Sequence, residues 1–369
     1  MSRSGNLVKQ PTGYRAFIPS SLPPIPAIQI EDGIQHILTD ANIALGRLDM
    51  MGYLVPNLEH VIAMYVRKEA LLSSQIEGTQ ASLEDVFDFE NNIPIRNVED
   101  VKDVVHYIKA LNHGIERLET IPMSVRLIKE IHDILLTGTR GKEKKPGEFR
   151  KSQNWIGFAG STLMTANFVP PPPNEAADAM SELEKYFHTH SDLPLLVNCA
   201  LIHYQFETIH PFLDGNGRVG RLLITFFLRW KEALRFPLLY MSYYFKIHRQ
   251  EYYDRLNLVR ERGDFEQWVE FFLKGIVWTA DSAMRTIKNI VELHEKNRKL
   301  VIEKKMPISA MALLDYLFEK PQVSVQTIAK YFKISSQGAA KLIKQFHQYE
   351  ILKEITGRKR DKRNDYWEY

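Results

Sequence analysis

The chain has a single cysteine among its 369 residues, Cys199, so no intrachain disulfide can form. No apolar run reaches the length of a membrane span, and the first residues, Met-Ser-Arg-Ser-Gly, lack the apolar core of a signal peptide. The formal net charge is only +3, which argues against a strong overall preference for nucleic acid or membrane surfaces. These absences predict a cytoplasmic protein without membrane partners, in which Cys199 is a buried structural thiol.

Most of the chain has the periodicity of amphipathic helices. A run of nearly continuous apolar residues, 195–206, predicts a buried helix. The first thirty residues are rich in proline and predict an extended surface arm, anchored by Tyr14 and Phe17. Apolar stripes at helical spacing cover residues 34–48, 104–118 and 125–136. The composition, 44% hydrophobic and 25% charged, is that of a globular chain with room for two or three domains.

Residues 210–221 read His-Pro-Phe-Leu-Asp-Gly-Asn-Gly-Arg-Val-Gly-Arg. Gly215, Asn216 and Gly217 can adopt backbone conformations closed to most residues, so their N–H groups can converge on one anion. Apolar residues at helical spacing follow the turn, which therefore opens a helix whose unpaired N–H groups and positive dipole end favour a phosphate. The segment predicts a polyphosphate site at a helix N-terminus.

Four ionisable side chains surround this turn. Arg218 and Arg221 lie three positions apart on one side of the helix, and guanidinium groups suit phosphate oxygens. Asp214 could bind Mg2+, which usually takes one or two carboxylates together with substrate phosphates. His210 supplies an imidazole, the usual general base near neutral pH. The combination predicts transfer of a nucleotidyl or phosphoryl group to a hydroxyl.

Other interpretations of these residues compete. Taken singly, His210 is more often a surface or satisfied histidine, and the two arginines are more often a solvated helix face. The spacing Gly215-x-Gly217-x-x-Gly220 also matches the dinucleotide-binding fingerprint, which requires a preceding strand and an acid about twenty residues further on. The preceding stretch reads as a helix and no series of strands follows, so the context argues against that fingerprint.

The pattern His-Pro-Phe-x-Asp-Gly-Asn-Gly-Arg-x-x-Arg resembles the core motif of the Fic family at every defined position. The resemblance implies a mainly helical protein adenylyltransferase that transfers AMP from ATP to Ser, Thr or Tyr hydroxyls. His210 would deprotonate the hydroxyl, and Asp214 would bind Mg2+ between the α- and β-phosphates. Arg218 would contact the β-phosphate region and Arg221 the γ-phosphate, while the turn 215–217 holds the phosphates.

The same resemblance extends to a set of nucleotide-binding residues. Tyr252 and Tyr253 occupy the place of the family's adenine-side tyrosines, although aromatic residues at these positions are as often core. The family can carry an asparagine seven residues after the second tyrosine, where this chain has Arg260. The implied ATP-binding residues are Glu77, His210, Gly215, Asn216, Gly217, Arg218, Val219, Gly220, Arg221, Tyr252 and Tyr253.

Residues 147–173 resemble the family's flap hairpin, which covers the site and aligns a target peptide by strand pairing. They begin Gly-Glu-Phe-Arg and end in four prolines. Without the resemblance, the segment predicts a hairpin with a rigid exit, because proline stops the second strand. An exposed edge strand is a suitable dock for an extended peptide.

Residues 73–78, Ser-Ser-Gln-Ile-Glu-Gly, resemble the family's inhibitory-helix motif. They end a predicted helix, 58–77, at Gly78, which can stop a helix in the left-handed conformation. Glu77 then stands at the negative end of the helix, which is unfavourable by roughly 0.3–1 kcal/mol unless a cation pairs with it. By resemblance that cation is Arg221, and Ser73, Glu77 and Gly78 form a brake on AMP transfer.

The C-terminal residues carry a different pattern. Three helices are predicted, and then two strands that flank the basic loop 357–364. This order resembles a winged helix-turn-helix, which would bind DNA or, as the alternative, dock a protein or dimerise with its basic loop simply solvated. The predicted helices are 310–318, 325–332 and 337–349, and the predicted strands are 351–356 and 366–369. The candidate phosphate-binding residues are Lys341, Lys344, Arg358, Lys359, Arg360, Lys362 and Arg363, and Gln337, Lys341 and Gln345 are the candidate base readers.

The sequence therefore predicts a mainly α protein, a Fic-type helical bundle with a small β-hairpin flap, followed by a C-terminal winged-helix domain. The predicted division is an N-terminal arm and helical region with the inhibitory helix (1–110), a catalytic core (111–280), a helical linker (281–306) and the winged helix (307–369).

The predicted function is an autoinhibited protein adenylyltransferase that uses ATP and Mg2+. Its acceptor is a hydroxyl of a target protein or of the chain itself, and it could also remove AMP. A DNA-binding regulator with a nucleotide-responsive core, and transfer of phosphate or phosphocholine, are the alternatives. Helical faces in the N-terminal half are compatible with a homodimer.

Overall fold

The computed structural model describes residues 3–55, 58–90, 93–354 and 364–365. The chain forms two compact units, one of residues 1–52 and 66–283 and the other of residues 53–65 and 284–369. Helices dominate both, so the predicted mainly α class is confirmed. Within the described ranges, no helix is both long and apolar enough to cross a membrane.

The helices follow the predicted periodicity closely. In chain order they are α1 (Asp32–Leu54), α2 (Leu58–Ile76), α3 (Leu83–Glu90), α4 (Val98–Arg117), α5 (Val125–Leu136), α6 (Pro173–His188), α7 (Leu195–Ile209), α8 (Asn216–Trp230), α9 (Ser242–Ile247), α10 (Arg249–Arg262), α11 (Phe265–Glu303), α12 (Ile308–Glu319), α13 (Val325–Phe332) and α14 (Ser336–Gln348). A short 3-10 helix, Arg140–Lys144, follows α5.

Helices α7 and α8 pack against each other in the first unit, and both are largely buried. Thirteen of the fifteen residues of α7 are buried, which confirms the buried helix predicted from the apolar run. Cys199 lies among them as a free thiol whose pKa is raised by burial, in agreement with the predicted structural role. Because a helix, not a strand, precedes the glycine turn, the structure also rules out the dinucleotide fingerprint.

The N-terminal arm differs from its prediction. Residues 5–19 form a β-hairpin, β1 (Gly5–Lys9) and β2 (Arg15–Pro19), and not a single extended arm. The prolines do not prevent it, because Pro11 lies in the turn and Pro19 ends the second strand. Phe17 is buried as expected of an anchor, and its N–H donates to Val169 O at 2.9 Å.

The predicted flap hairpin is reduced to one antiparallel bridge between Ile156 and Phe168. The two residues exchange both backbone hydrogen bonds, at 2.8 and 3.0 Å. Between them the chain forms local turns, in which Ser161 N–H donates to Phe158 O and Thr165 N–H to Thr162 O. These turns use the backbone groups that longer strands would have paired, so the flap is a long loop closed at its base.

The second unit contains α12, α13 and α14 and a small antiparallel sheet in the order β3-β5-β4. The strands are β3 (Gln322–Val323), β4 (Lys353–Glu354) and β5 (Asn364–Asp365). Three helices and a sheet at the end of the chain agree with the predicted winged helix. The basic residues 358–363 and the predicted strand 366–369 lie outside the described residues.

The helix α11 is continuous from Phe265 to Glu303, so the segment predicted as a helical linker is the second half of one long helix. The boundary between the compact units falls within α11, after residue 283, and the first turns of α2 belong to the second unit. The observed units therefore cut across two helices, whereas the predicted boundaries follow the motifs.

Candidate functional site

The loop between α7 and α8 carries the motif. His210 ends α7 in the left-handed conformation, with φ 50° and ψ 58°, and its N–H donates to Phe206 O at 3.0 Å. Gly215 precedes α8 with φ 77°, a conformation that favours glycine. No side chain caps the start of α8, so its first N–H groups are not satisfied in the way a Ser or Asp cap would satisfy them. The structure therefore has a helix N-terminus where the sequence predicts one, and its binding of an anion stays a prediction.

The side chain of Asn216 is hydrogen-bonded across this loop. Its Oδ1 accepts from the N–H of Phe212 at 2.9 Å and its Nδ2 donates to Phe212 O at 2.8 Å. Both ends of the buried amide are thus used to close the turn. The side chain of Asn216 therefore fixes the loop, and its role in phosphate binding stays a prediction.

His132 on α5 is a second support of the loop that the sequence analysis missed. Its Nδ1 accepts from the N–H of Gly147 at 2.9 Å, so Nε2 carries the proton and donates to Asp214 O at 3.1 Å. Its ring stacks on Phe212 at 3.6 Å and 7°. Burial lowers the pKa of His132 to about 4, which agrees with a neutral ring. The available signal was a histidine in the middle of an apolar helical stripe.

Glu77 places a carboxylate against the N-terminus of α8. A Cβ on Gly217 would collide with Glu77 Oε1, so the glycine is what lets the carboxylate approach the helix backbone. The same oxygen lies 2.7 Å from Nη2 of Arg221. The structure therefore brings Glu77, Gly217 and Arg221 together, with a carboxylate where the sequence predicts phosphate.

Arg221 is buried and bonded to the end of α2. Its Nε donates to Ser73 Oγ at 2.8 Å and its Nη2 donates to Ser73 O at 2.9 Å as well as to Glu77. The chain leaves the helix through Gly78, whose φ is 99°. Side-chain exposure is 1% for Arg221 and 38% for Glu77, so the arginine is fixed while its partner can reach solvent.

Arg218 and Asp214 form a looser part of the site. Nη2 of Arg218 lies 3.7 Å from Asp214 Oδ1, and Nη1 lies 3.9 Å from Asp103 Oδ1. Asp214 Oδ1 accepts from the N–H of Gly215 at 2.6 Å, and 47% of its side chain is exposed. An exposed carboxylate next to an open helix N-terminus fits a Mg2+ ion that takes its other ligands from phosphate and water. In the part of the chain that the structure describes, no group of three His, Cys, Asp or Glu residues could hold a metal alone.

Tyr252 lies in the core and not at the edge of a pocket. Its hydroxyl donates to His203 Nε2 at 2.9 Å, and His203 Nδ1 donates in turn to Gly220 O at 2.9 Å. Burial lowers the pKa of His203 to about 3, as this neutral relay requires. Tyr253 is only partly buried and lies beneath the guanidinium of Arg249, 5.6 Å from its ring centroid. Of the two predicted tyrosines, Tyr252 is therefore buried and Tyr253 is only partly buried, and their contact with a nucleotide stays a prediction.

Two further predicted ATP-binding residues, Val219 and Gly220, have no polar side chain. Val219 is fully buried, and its N–H donates to Gly215 O at 3.0 Å within the helix. Gly220 faces Glu207, whose carboxyl oxygen a Cβ there would meet. Burial raises the pKa of Glu207 to about 7, although Arg221 and Arg260 oppose this shift. The sequence analysis did not identify this buried acid, which lies one turn before His210.

Arg260 joins the flap to the end of α7. Its guanidinium stacks on Phe168 at 3.8 Å, and its Nε donates to Thr208 Oγ1 at 3.2 Å. It also lines a cavity of about 430 Å³ that the β-hairpin, the flap and α10 enclose. The remaining lining residues are Leu7, Gly13, Tyr14, Arg15, Phe17, Leu163, Met164, Ala166, Asn167, Phe168, Val169, Asn257 and Glu261.

The imidazole of His210 is in its basic form at neutral pH. Burial lowers the pKa of His210 to about 4, and the charges of Arg150 and Arg260 act in the same direction. A neutral ring can accept a proton from a hydroxyl, which a protonated ring cannot. The site thus combines a helix N-terminus without a side-chain cap, two arginines, an exposed carboxylate and a neutral imidazole.

Comparison with family models divides the chain into three parts. Residues 36–116 match the model described as Fic/DOC family N-terminal, and residues 122–228 match the model described as Fic/DOC family. Residues 311–363 match a model described as an HTH DNA binding domain.

Curated relatives cover part of the chain. A protein adenylyltransferase Fic of Drosophila yakuba is 33% identical over 156 residues, which are 42% of this chain and 28% of that protein. One of Aedes aegypti is 32% identical over 143 residues, 38% of this chain and 24% of that protein. The matched part of the chain thus spans only about a quarter of the relatives' length.

Solved structures share the fold. A Fic family protein from Desulfovibrio desulfuricans G20 superimposes with a TM-score of 0.57 at 20% identity, over 93% of this chain and 98% of that one. Fic-1 from C. elegans gives a TM-score of 0.54 at 18% identity, over 69% and 74% of the two chains. These likenesses confirm the architecture predicted from the sequence.

Proposed function

We propose that this chain, which carries the N-terminal and core domains of the Fic/DOC family and a C-terminal helix-turn-helix domain, is a protein adenylyltransferase restrained by its own Glu77. The matched relatives are named protein adenylyltransferases, and the motif residues of this chain are complete. The observation that carries the proposal is the carboxylate of Glu77 on the N-terminus of α8, bonded to Arg221 beside a neutral His210.

The geometry supports the following transfer. The neutral imidazole of His210 takes the proton of an acceptor hydroxyl, whose oxygen attacks the α-phosphorus of ATP. A bond forms between this oxygen and phosphorus, the bond from phosphorus to the α–β bridging oxygen breaks, and pyrophosphate leaves. The N–H groups of Gly215 to Gly217 and the guanidinium groups of Arg218 and Arg221 stabilise the negative charge on the phosphates. The acceptor belongs to a target protein or to this chain.

Asp214 is the residue that would hold Mg2+. Its exposed carboxylate supplies one oxygen ligand, as Mg2+ in phosphate sites usually requires. Bound there, the ion would neutralise phosphate charge.

Glu77 restrains this activity because it competes with the nucleotide. Its carboxylate occupies the anion site over Gly217 and uses a hydrogen bond of Arg221, which the γ-phosphate needs. Two anions cannot share that buried guanidinium without repulsion. ATP that enters while Glu77 is in place must put its γ-phosphate elsewhere, in a pose unsuited to transfer.

Replacing Glu77 tests the reaction and the brake together. The Glu77→Gly protein, incubated with Mg2+ and ATP, is expected to gain the mass of one or more adenylates, while the wild type gains much less. ATP labelled at the α- or the γ-phosphate distinguishes AMP transfer from phosphate transfer. Glu77→Gln keeps the shape without the charge, and Glu84→Gly, an exposed glutamate at the start of α3, is the matched control.

The outcomes separate the two parts of the proposal. Equal incorporation by the wild type and Glu77→Gly proteins would contradict the brake but not the transfer. Absence of α-label from both proteins, with every candidate acceptor supplied in cell extract, would contradict the transfer. Loss of AMP from modified protein on adding wild type would show that Glu77 also supports removal of AMP.

A second function is supported by the exposed face of α14. Gln337, Lys341, Lys344 and Gln348 lie on the solvent side of the helix at spacings of four, three and four residues. The opposite side, which includes Leu342 and Phe346, is buried in the core of the domain. We infer that this face enters DNA, and a mobility shift titrated with salt tests it, since phosphate contacts weaken as salt rises. The cytoplasmic location and the homodimer stay predictions from the sequence.

A further inference from the structure

His210 has an unusual backbone conformation. With φ 50° and ψ 58° it is a non-glycine residue in the left-handed region, a conformation that is strained for a residue with a Cβ. Such a conformation persists only where the surroundings determine it. The imidazole of the proposed base projects from this backbone, so whatever holds the backbone also aims the ring.

Arg150 holds it from the base of the flap. The buried guanidinium donates from Nε to His210 O at 2.9 Å, and the N–H of Arg150 donates to Pro211 O, also at 2.9 Å. Two consecutive carbonyls of the motif loop therefore receive hydrogen bonds from one residue. A bond from a charged donor is stronger than one between neutral groups, so it helps to hold the strained backbone.

The same guanidinium also binds both arms of the flap. It donates to Pro171 O on the exit of the flap and to Ser152 O on its entry, the latter at 3.4 Å. Asn154 adds a bond from Nδ2 to Phe212 O at 2.9 Å. The flap base and the motif loop are thus one hydrogen-bonded assembly with Arg150 at its centre.

We propose that Arg150 is a positioning residue that aims the imidazole of His210 by holding two consecutive carbonyls of the motif loop. The proposal rests on the proposed adenylyl transfer. In this role Arg150 acts through His210, because its bonds are to the backbone of the motif loop.

The charge of Arg150 has a second effect on the same ring. Burial is the largest cause of the lowered His210 pKa, the cations Arg150 and Arg260 lower it further, and Glu77 opposes them. Burial lowers the pKa of Arg150 itself only to about 10, so Arg150 stays charged at neutral pH. Removing this cation is therefore expected to raise the pKa of His210.

The test uses the full chain with Glu77→Gly, so that the brake does not mask the rate. Arg150→Met removes the charge and the guanidinium hydrogen bonds, including the one to His210 O, and leaves the backbone N–H bond to Pro211 O in place. Arg150→Lys keeps the charge without the fork. Lys151→Met is the matched control, because this neighbouring lysine is exposed. Both Arg150 variants are expected to lose about 10- to 100-fold in kcat, with less than about a threefold change in the KM for ATP. The acid limb of the pH–rate profile should move to higher pH in Arg150→Met but not in Arg150→Lys.

An NMR titration of His210 gives a readout without activity. The ring signals are assigned by their disappearance in His210→Gln, and the pKa of His210 should be higher in Arg150→Met than in the parent. An unchanged kcat in both variants, or a raised KM with unchanged kcat, would overturn the positioning role. If the parent transfers no AMP, the proposed function fails, and an unshifted His210 titration then separately overturns the electrostatic effect of Arg150. If Arg150→Met does not fold, the kcat of Arg150→Lys decides.

Discussion

The cations of the α8 N-terminus and those of α14 have opposite environments. Arg221 is almost completely buried and bonded to Ser73 and Glu77, whereas Lys341 and Lys344 are exposed. A buried cation is costly unless a partner is present, and the carboxylate of Glu77 supplies that partner for Arg221. An exposed lysine stays hydrated at no such cost and remains available to an external partner. The difference agrees with the two proposals, in which Glu77 restrains the first site and the second site binds DNA.

The N-termini of α8 and α14 also differ in how their backbone N–H groups are satisfied. The N-terminus of α8 has no side-chain cap, and an acidic side chain from elsewhere in the chain approaches it. The N-terminus of α14 is capped by Ser335, whose Oγ accepts from the N–H of Gly338 at 3.1 Å. The first helix thus leaves its N–H groups for an anion, and the second satisfies one of them locally. Contacts of α14 with DNA are therefore expected from its side chains.

The largest expected effect is a loss of AMP transfer at the α8 site without a change in DNA binding by α14. His210→Ala in the Glu77→Gly background should lower AMP incorporation by about 10²–10⁴-fold, because the general base is removed. The same variant should bind DNA as the parent does. His36→Ala, an exposed histidine of α1, is the control. Retained incorporation in the His210→Ala protein would show that another group removes the proton.

A smaller effect is expected from the exposed lysines. Changing Lys341 and Lys344 together to Gln should weaken DNA binding about tenfold at low salt, with little dependence on sequence. The slope of log affinity against log salt should fall by about 0.9 for each DNA phosphate that a lysine no longer neutralises. AMP incorporation should not change, and Lys288→Gln on α11 is the matched exposed control. An unaltered salt slope would favour a protein-docking role for the winged helix.

The smallest expected effect concerns Glu69, a buried acid on α2 one turn before Ser73. Tyr107 donates to its Oε1 at 2.9 Å, Ser242 donates to the same oxygen, and burial raises its pKa to about 7. Since the folded pKa is above the unfolded value of 4.5, this contribution to stability is fully present below pH 4.5 and is lost as pH rises through about 7. The decrease in stability should be on the order of 3 kcal/mol, since one pKa unit corresponds to about 1.4 kcal/mol.

Denaturant unfolding of wild type and Glu69→Gln between pH 4.5 and 8 measures this decrease. The free energy of unfolding of the wild type should fall relative to the variant as pH rises. Any constant cost of the new amide cancels, because only the slope is compared. Parallel curves would mean that the pKa of Glu69 is the same in the folded and unfolded protein, which would contradict the prediction.

Much of the fold follows from short-range patterns. Helical stripes, the apolar run of α7 and the glycine stop at Gly78 depend on residues a few positions apart, so the sequence predicts them. The prolines of the first thirty residues concealed the β-hairpin, although Pro11 and Pro19 stand where a ladder needs no N–H. The flap is less of a hairpin than its sequence predicts, because its polar residues form local turns.

The sequence by itself determined the glycine turn, the basic first turn of α8 and the histidine shortly before them. Each of these features depends only on residues that are close together in the chain. The tertiary structure alone decided that Asn216 closes the loop, that Tyr252 is core, and that Arg150 reaches the carbonyl of His210. The Glu77–Arg221 pair was suggested by resemblance, but its 2.7 Å contact joins residues 144 positions apart. Such contacts form only when distant helices pack, because no local preference specifies which buried polar group will meet which partner.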